Sequence, residues 1–281
     1  TTNGGLNWGG RSAGTSYVST LMYDVDFADT SNGWGAGGYN VILGTTNAGT
    51  DWALMTNGLA AGSYWYSLDF INSKTGWACG QNAIAKTTDG GLNWSAQLTA
   101  SSYVRAITFL DQNKGWACGN NLLLRTTNGG TKWVYQLVPT NLMYWRDICF
   151  FNSSTGWICG QNQLVCKTVD GGTTWTIITN MPGSYGNYLY AMAWPDTTNG
   201  WVVGGVYSTG NVFYTHNGGA TWTNGTSPMS YSWLGLEFIN ANTVVAVGQY
   251  GYIMKTTNGT AVTPTWVDAL PDARTFYVDY I

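Results

Sequence analysis

An all-β fold, a seven-bladed β-propeller of four-stranded antiparallel blades, is predicted by three features of the 281-residue sequence. A phrase made of a Thr-rich stretch, an Asn/Asp-Gly turn and a Trp occurs seven times. It reads TTNGGLNW at 1–8, TTNAGTDW at 45–52, TTDGGLNW at 87–94, TTNGGTKW at 126–133, TVDGGTTW at 168–175, THNGGATW at 215–222 and, stretched, TTNGTAVTPTW at 256–266. Its tryptophans, Trp8, Trp52, Trp94, Trp133, Trp175, Trp222 and Trp266, stand 39 to 47 residues apart, close to the ~40–45 residues of a four-stranded propeller blade. A second phrase alternates with the first: an aromatic residue, then Gly-Trp six residues on, at Phe27 to Trp34, Phe70 to Trp77, Phe109 to Trp116, Phe150 to Trp157 and Trp194 to Trp201. The copy from Phe238 has Val244-Val245 in place of Gly-Trp.

Each unit therefore reads as strand a ending on the marker aromatic, strand b carrying Gly-Trp, strand c carrying the Thr residues, and strand d after the hairpin Trp. Two residues before each marker stand Val25, Leu68, Ile107, Ile148, Met192 and Leu236, the period-2 alternation of a strand. The units span 22–52, 65–94, 104–133, 146–175, 189–222 and 234–266, with a split unit made of 276–281 plus 1–8, all in a single propeller domain. That seventh unit is expected to join the two ends of the chain in one blade and to lack strand b. Its unpaired strands would take a strand from a neighbouring copy or from another protein. A six-bladed ring with both ends docked elsewhere is the alternative.

The hairpin residues Asn3, Asn47, Asp89, Asn128, Asp170, Asn217 and Asn258 interchange freely between Asn and Asp. Their side chains accept backbone N–H bonds while the following Gly takes positive φ, so they read as structural turns and not as catalytic or metal-binding groups. The pattern resembles the Asp-box, or BNR, repeat of sialidases, sortilins and xyloglucanases. It is more similar still to the photosystem II assembly-factor-like propellers, which pair a Gly-Trp-x-x-Gly strand with a Thr-Thr-Asp-Gly-Gly-x-x-Trp hairpin. The resemblance covers almost the whole chain and implies the propeller fold; these families share the turn rather than a chemistry. It also implies an Arg-rich patch on strand a, which Arg105 and Arg146 match.

Charged residues make up 9% of the chain against a usual ~25%, and aromatics 15%, so the surface is solubilised by Asn, Ser, Thr and Gly. This suits a secreted, extracellular or cell-surface protein. A net charge of −3 with 11 Lys plus Arg argues against a nucleic-acid partner, and no apolar run approaches the ~20 residues of a membrane span. Asn93, Asn152, Asn224 and Asn258 each open an N-x-S/T sequon, where glycans could be attached. Cys79, Cys118 and Cys159 share one repeat position with Ala36, Val203 and Val247, which favours buried thiols; a Cys149–Cys159 bridge is the alternative, with Cys166 nearby in the same unit.

Chemistry is sought on strand a. Tyr23, Trp65, Tyr66, Arg105, Tyr144, Trp145, Arg146, Tyr190 and Trp233 are expected to form an aromatic rim that stacks on sugars, docks a protein, or packs between blades. Asp26, Asp69, Glu237 and Asp279, one residue before the marker aromatic, are expected in the central channel. There they would hydrate it, face a cation, or supply a carboxylate pair for glycoside hydrolysis. Five Arg in all leave little for a sialidase triad, and the single histidine, His216, lies in a hairpin turn, so no catalytic residue, metal or cofactor is assigned. The expected role is a non-catalytic structural or assembly module, with copies of itself or a strand-donating protein as partner. A glycan-binding propeller is the second reading.

Overall fold

The structure, a computed structural model, describes residues 21–269 except 60–62, 139, 141–142, 184–185, 207–208, 228–229 and 262–263. The split unit 276–281 plus 1–8, with Asn3 and Asp279, lies outside the described residues. Those described form two compact units divided between Ser153 and Ser154.

The first unit opens with a four-stranded antiparallel sheet in the order a–b–c–d: Met22–Phe27, Gly33–Gly37, Ile42–Thr45 and Ala53–Leu54. A six-stranded sheet follows, made of Trp65–Phe70, Gly76–Thr87, Ser95–Phe109, Gly115–Gly119, Leu122–Thr126 and Val134–Tyr135. It merges two expected units because Ser95–Phe109 is one continuous strand, serving as d of one unit and a of the next. The link between them, Thr99 to Ser102, contains no Gly or Pro to break an extended backbone. Strand Trp145–Phe150 closes this part of the chain. The second unit carries Gly156–Gly160, Val165–Thr168 and Thr176–Ile178. Two complete four-stranded sheets come next: Tyr188–Ala193, Gly200–Val206, Thr209–Thr215 and Thr223–Asn224, then Trp233–Asn240, Thr243–Gly248, Tyr252–Thr256 and Val267–Asp268. Successive four-stranded antiparallel meanders are the blades of the expected propeller class.

The Thr-Asx hairpins hold themselves together. At 87–93, Gly91 N donates to Thr87 Oγ1 at 2.9 Å, Thr87 Oγ1 donates to Asp89 Oδ1 at 2.9 Å, and Asn93 N donates to the same carboxylate oxygen at 2.9 Å. The same set recurs around Asn47, Asn128, Asp170 and Asn217, and Asn258 accepts from Thr256 and Thr265. These six residues hold their hairpin turns. One hairpin breaks the glycine rule: Ala48 sits at φ 59° where its counterpart Gly90 has φ 78°. A Cβ in the left-handed region costs about 1–2 kcal/mol, partly offset by the entropy of a flexible glycine in the unfolded chain. Ala48→Gly is therefore expected to raise stability by about 0.5–1 kcal/mol in urea unfolding; an unchanged or lower midpoint would contradict this.

Neighbouring blades are joined by the Gly-Trp phrase. Trp34 stacks on Phe70 with centroids 3.5 Å apart, Trp77 on Phe109 at 3.5 Å, Trp116 on Phe150 at 3.6 Å and Trp157 on Trp194 at 3.7 Å. Phe27, Phe70, Phe109 and Trp194 also meet their own hairpin Trp edge-on, as Phe109 meets Trp133 at 5.9 Å and 87°. The indole N–H then reaches the next hairpin: Trp34 Nε1 donates to Gly90 O at 2.8 Å, Trp77 Nε1 to Gly129 O at 3.1 Å and Trp201 Nε1 to Gly259 O at 3.0 Å. The glycine of the phrase is needed for space, since a Cβ on Gly115 would stand 2.5 Å from the Phe109 ring. All five cysteines are thiols, so the Cys149–Cys159 bridge is not formed. Burial pushes the Cys166 thiol up to about 12 and raises Cys79 and Cys118 well above the ordinary range.

Candidate functional site

Strand a does not alternate regularly. Its pairing with strand b slips between Met22 and Asp24, Trp65 and Ser67, Val104 and Ala106, Leu189 and Ala191, and Trp233 and Gly235. The residue in each slip, Tyr23, Tyr66, Arg105, Tyr190 or Leu234, stands four before the marker aromatic. A β-bulge places two residues opposite one and re-aims a side chain. Without it, Tyr66 would share the buried face of Leu68 and Phe70; with it, Trp65 takes that place. Trp65 is 1% exposed and Trp145 and Trp233 are 0% exposed. These three were expected on a sugar-stacking or docking rim, and that expectation is corrected: they are core residues. Alternation alone cannot show a bulge, which is why they were misplaced.

The bulges of the first unit turn Tyr23, Tyr66 and Arg105 toward one another. Tyr23 and Tyr66 lie 5.2 Å apart at 64°, and Tyr66 and Tyr103 6.2 Å apart at 70°. The Arg105 guanidinium sits 4.3 Å from the Tyr66 ring and 5.0 Å from that of Tyr103, a double cation–π contact. Two further tyrosines complete the cluster. Tyr64 is 6.5 Å from Tyr23, and Tyr39 is 5.3 Å from Tyr64. Tyr39, 71% exposed, comes from the b–c turn and has φ 52°. The residue two after the last glycine of strand b is left-handed in five units, and three of them use Asn: Asn82, Asn121 and Asn162. Tyr250 is the other bulky exception, and it too lies in a tyrosine cluster, 4.7 Å from Tyr231. An aromatic where Asn is the conformationally cheap choice is the signal by which this part of the site could have been found.

The remaining rim residues are dispersed. Tyr144 is exposed beside its bridge to Asn120, Arg146 is half-buried on strand Trp145–Phe150, and Tyr190 stacks on Tyr188 at 5.9 Å.

The acids of strand a bind backbone. Asp26 Oδ2 accepts from Phe70 N at 2.6 Å, and Asp69 Oδ2 accepts from Phe109 N. Each therefore caps the marker amide of the following unit. Asp24, which the repeat pattern did not single out, does the same to Leu68 N at 2.7 Å. Burial pushes Asp69 up to about 8, with the charges of Asp26 and Asp24 adding to it; burial raises Asp24 to about 6 and lifts Asp26 as well. Glu237 is exposed and accepts from Phe238 N at 2.9 Å. Among the described residues no group of three or more His, Cys, Asp or Glu side chains is placed to hold a metal ion. Of the sequon residues, Asn93, Asn152 and Asn224 are exposed, and Asn258 is engaged in its hairpin.

A family model described as photosynthesis system II assembly factor YCF48 matches residues 11–100 and 95–187. No curated protein sequence is significantly similar to the chain. Among solved structures, "YCF48 bound to D1 peptide" aligns with TM-score 0.71 at 21% identity, covering 90% of this chain and 81% of that one. YCF48 from Cyanidioschyzon merolae aligns with TM-score 0.68 at 18% identity, covering 90% and 86%. A GH74 enzyme from Niastella koreensis aligns with TM-score 0.69 at 18% identity, and the chain spans 46% of its length. These likenesses establish the β-propeller fold.

Proposed function

Since the chain belongs to the photosystem II assembly factor YCF48 family, we propose that it is a non-catalytic assembly module that binds a segment of another protein on the tyrosine–arginine surface of its first unit. The observation that carries this reading is a chain of touching rings, Tyr39, Tyr64, Tyr23 and Tyr66, that ends at the Arg105 guanidinium, which lies over Tyr66 and Tyr103. Tyr and Arg are the residue types that dominate protein-interface energetics, because they bring large apolar area with few rotamers and end in a hydrogen-bonding group. The relative described as bound to D1 peptide supports a polypeptide as the ligand class. Burial of Trp65, Trp145 and Trp233 removes the flat indole faces that a glycan reading needed.

Fluorescence anisotropy with a labelled D1 peptide tests the proposal. Saturable binding is expected, weakened about tenfold or more by Arg105→Ala and by Tyr66→Ala, with the far-UV spectrum of each variant unchanged. Absence of binding to the wild-type chain, or variants that bind as tightly as wild type, would overturn it.

A further inference from the structure

In two b–c turns a second left-handed residue follows the first: Asn40, at φ 64°, after Tyr39, and Gln163, at φ 59°, after Asn162. The two turns are built alike. Asn40 N donates to Ser63 O and Gln163 N to Asn187 O, each reaching the chain just before the next strand a. Their side-chain oxygens differ in partner. Asn40 Oδ1 accepts the indole N–H of Trp65 at 3.1 Å. In the place of Trp65 the strand Tyr188–Ala193 has Leu189: Trp65 pairs with Gly80 and Leu189 with Gly204, each beside the bulge of its strand. Leucine carries no donor. Gln163 is 5% exposed and its Nε2 donates to Pro182 O, but its Oε1 is buried and accepts no hydrogen bond from the protein. A buried acceptor left in this way costs free energy that a donor restores.

A cavity of about 150 Å³ lies against this residue, walled by Gln163 and Gly183 and by the apolar side chains of Leu164, Ile177, Ile178 and Met181. Ile178 stands three residues after its hairpin Trp, the position that Met55 holds after Trp52. Met55 packs in one core cluster with Trp65, so a Trp and Met pair in one place is a smaller Leu and Ile pair in the other. Gly183, at φ 105°, has no side chain to cover the amide: a Cβ there would stand 3.6 Å from Gln163 Oε1. The volume is that of an apolar cavity able to hold a benzene ring, and the exposed Thr179 and Gly183 leave it open for a larger ring to extend outward. We propose that this cavity binds an indole ring, with the ring N–H on Gln163 Oε1 and the carbon faces against Leu164, Ile177, Ile178 and Met181. Indole meets both demands of the site, since it has one N–H donor, no acceptor to oppose the oxygen, and is otherwise apolar. The site belongs to the second unit and is independent of the tyrosine–arginine reading. The same ring can come as a free small molecule or as the tryptophan side chain of a partner polypeptide.

The test is titration of the full chain, followed by protein NMR, with indole and with indene, which has the same shape and a CH2 group in place of the N–H. Indole is expected to shift the amide resonances of Gln163, Leu164 and Gly183 saturably, and to bind about tenfold tighter than indene. This comparison uses the wild-type chain and needs no variant. Gln163→Met keeps the length of the side chain and removes the oxygen. It should weaken indole about tenfold, to the level of indene, and leave indene binding unchanged, which shows that the cavity itself is intact. Indole binding no tighter than indene, shifts confined to residues elsewhere, or an indole preference that survives Gln163→Met overturns the proposal. So does a cavity that neither ring enters, which would hold water only. N-acetyltryptophanamide added to the indole complex separates the two sources: displacement of indole upholds the site as one for a tryptophan side chain, and failure to displace it upholds the site as one for a free indole.

Discussion

Replacing Trp77 by alanine is expected to destabilise the protein by about 3–5 kcal/mol, the cost of emptying a buried tryptophan site. Trp77 is fully buried, lies face to face with Phe109 at 3.5 Å and 5°, and donates to Gly129 O at 3.1 Å. Lys86 Nζ stands 4.8 Å from its ring and donates to the same carbonyl at 3.1 Å. One side chain therefore ties strand b of its own unit to strand a and to the hairpin of the next. Its loss opens a cavity that rigid strands on either side cannot close, and removes an aromatic pair worth about 0.5–1.5 kcal/mol within that total. Urea unfolding followed by far-UV circular dichroism measures the effect. A loss below about 1 kcal/mol, the range of an ordinary substitution, would mean that the blades are held together by something other than the stacked phrase.

The second large effect is on pH dependence. Asp69 titrates near 8 in the folded chain and Asp24 near 6, against about 3.8 when unfolded, because burial disfavours their charged forms. Between about pH 4 and pH 8 the folded state therefore holds more protons than the unfolded one, and stability must fall as pH rises through that window. The stabilisation is complete below about pH 4 and lost above pH 8, with a slope of up to about 1.4 kcal/mol per pH unit for each titrating group. Asp69→Asn keeps an oxygen to accept from Phe109 N and removes the titration. Its urea midpoint is expected to stay level between pH 6 and pH 8, where that of wild type declines. The decline that remains below pH 6 belongs to Asp24, with Asp26 adding to it. Parallel profiles for variant and wild type would show that Asp69 is already ionised at neutral pH.

Much of this architecture was legible in the residues. The Thr-Asx-Gly hairpins are local: apart from the stretched copy at 256–266, their hydrogen bonds span two to four residues, so repeats of one phrase announce repeats of one turn, six of them among the described residues. The Gly-Trp phrase is nearly as local, because its glycine clears space for an aromatic ring six residues earlier in the same unit. The seam at Ser95–Phe109 was less legible, since the absence of a breaker is a weaker signal than its presence.

The candidate site was legible in composition and not in arrangement. Tyr23, Tyr66 and Arg105 were named from their repeat position, but so were Trp65, Trp145 and Trp233, one residue away and buried. A bulge is a matter of how two strands pair, and a strand's own residues do not record where its partner slips. The acids followed the same rule: their position before the marker aromatic was readable, whereas their bonds to the amides of the next unit required that unit to be in place. Tyr39 and Tyr64 join the cluster from a turn and from the start of a strand, 25 residues apart in the sequence. Periodic residues of the repeat therefore dictated the blades, because short-range turns and alternation suffice to form them. Which side chains meet at the surface was decided by strand register and by the packing of one unit on the next, interactions that exist only once the chain has folded.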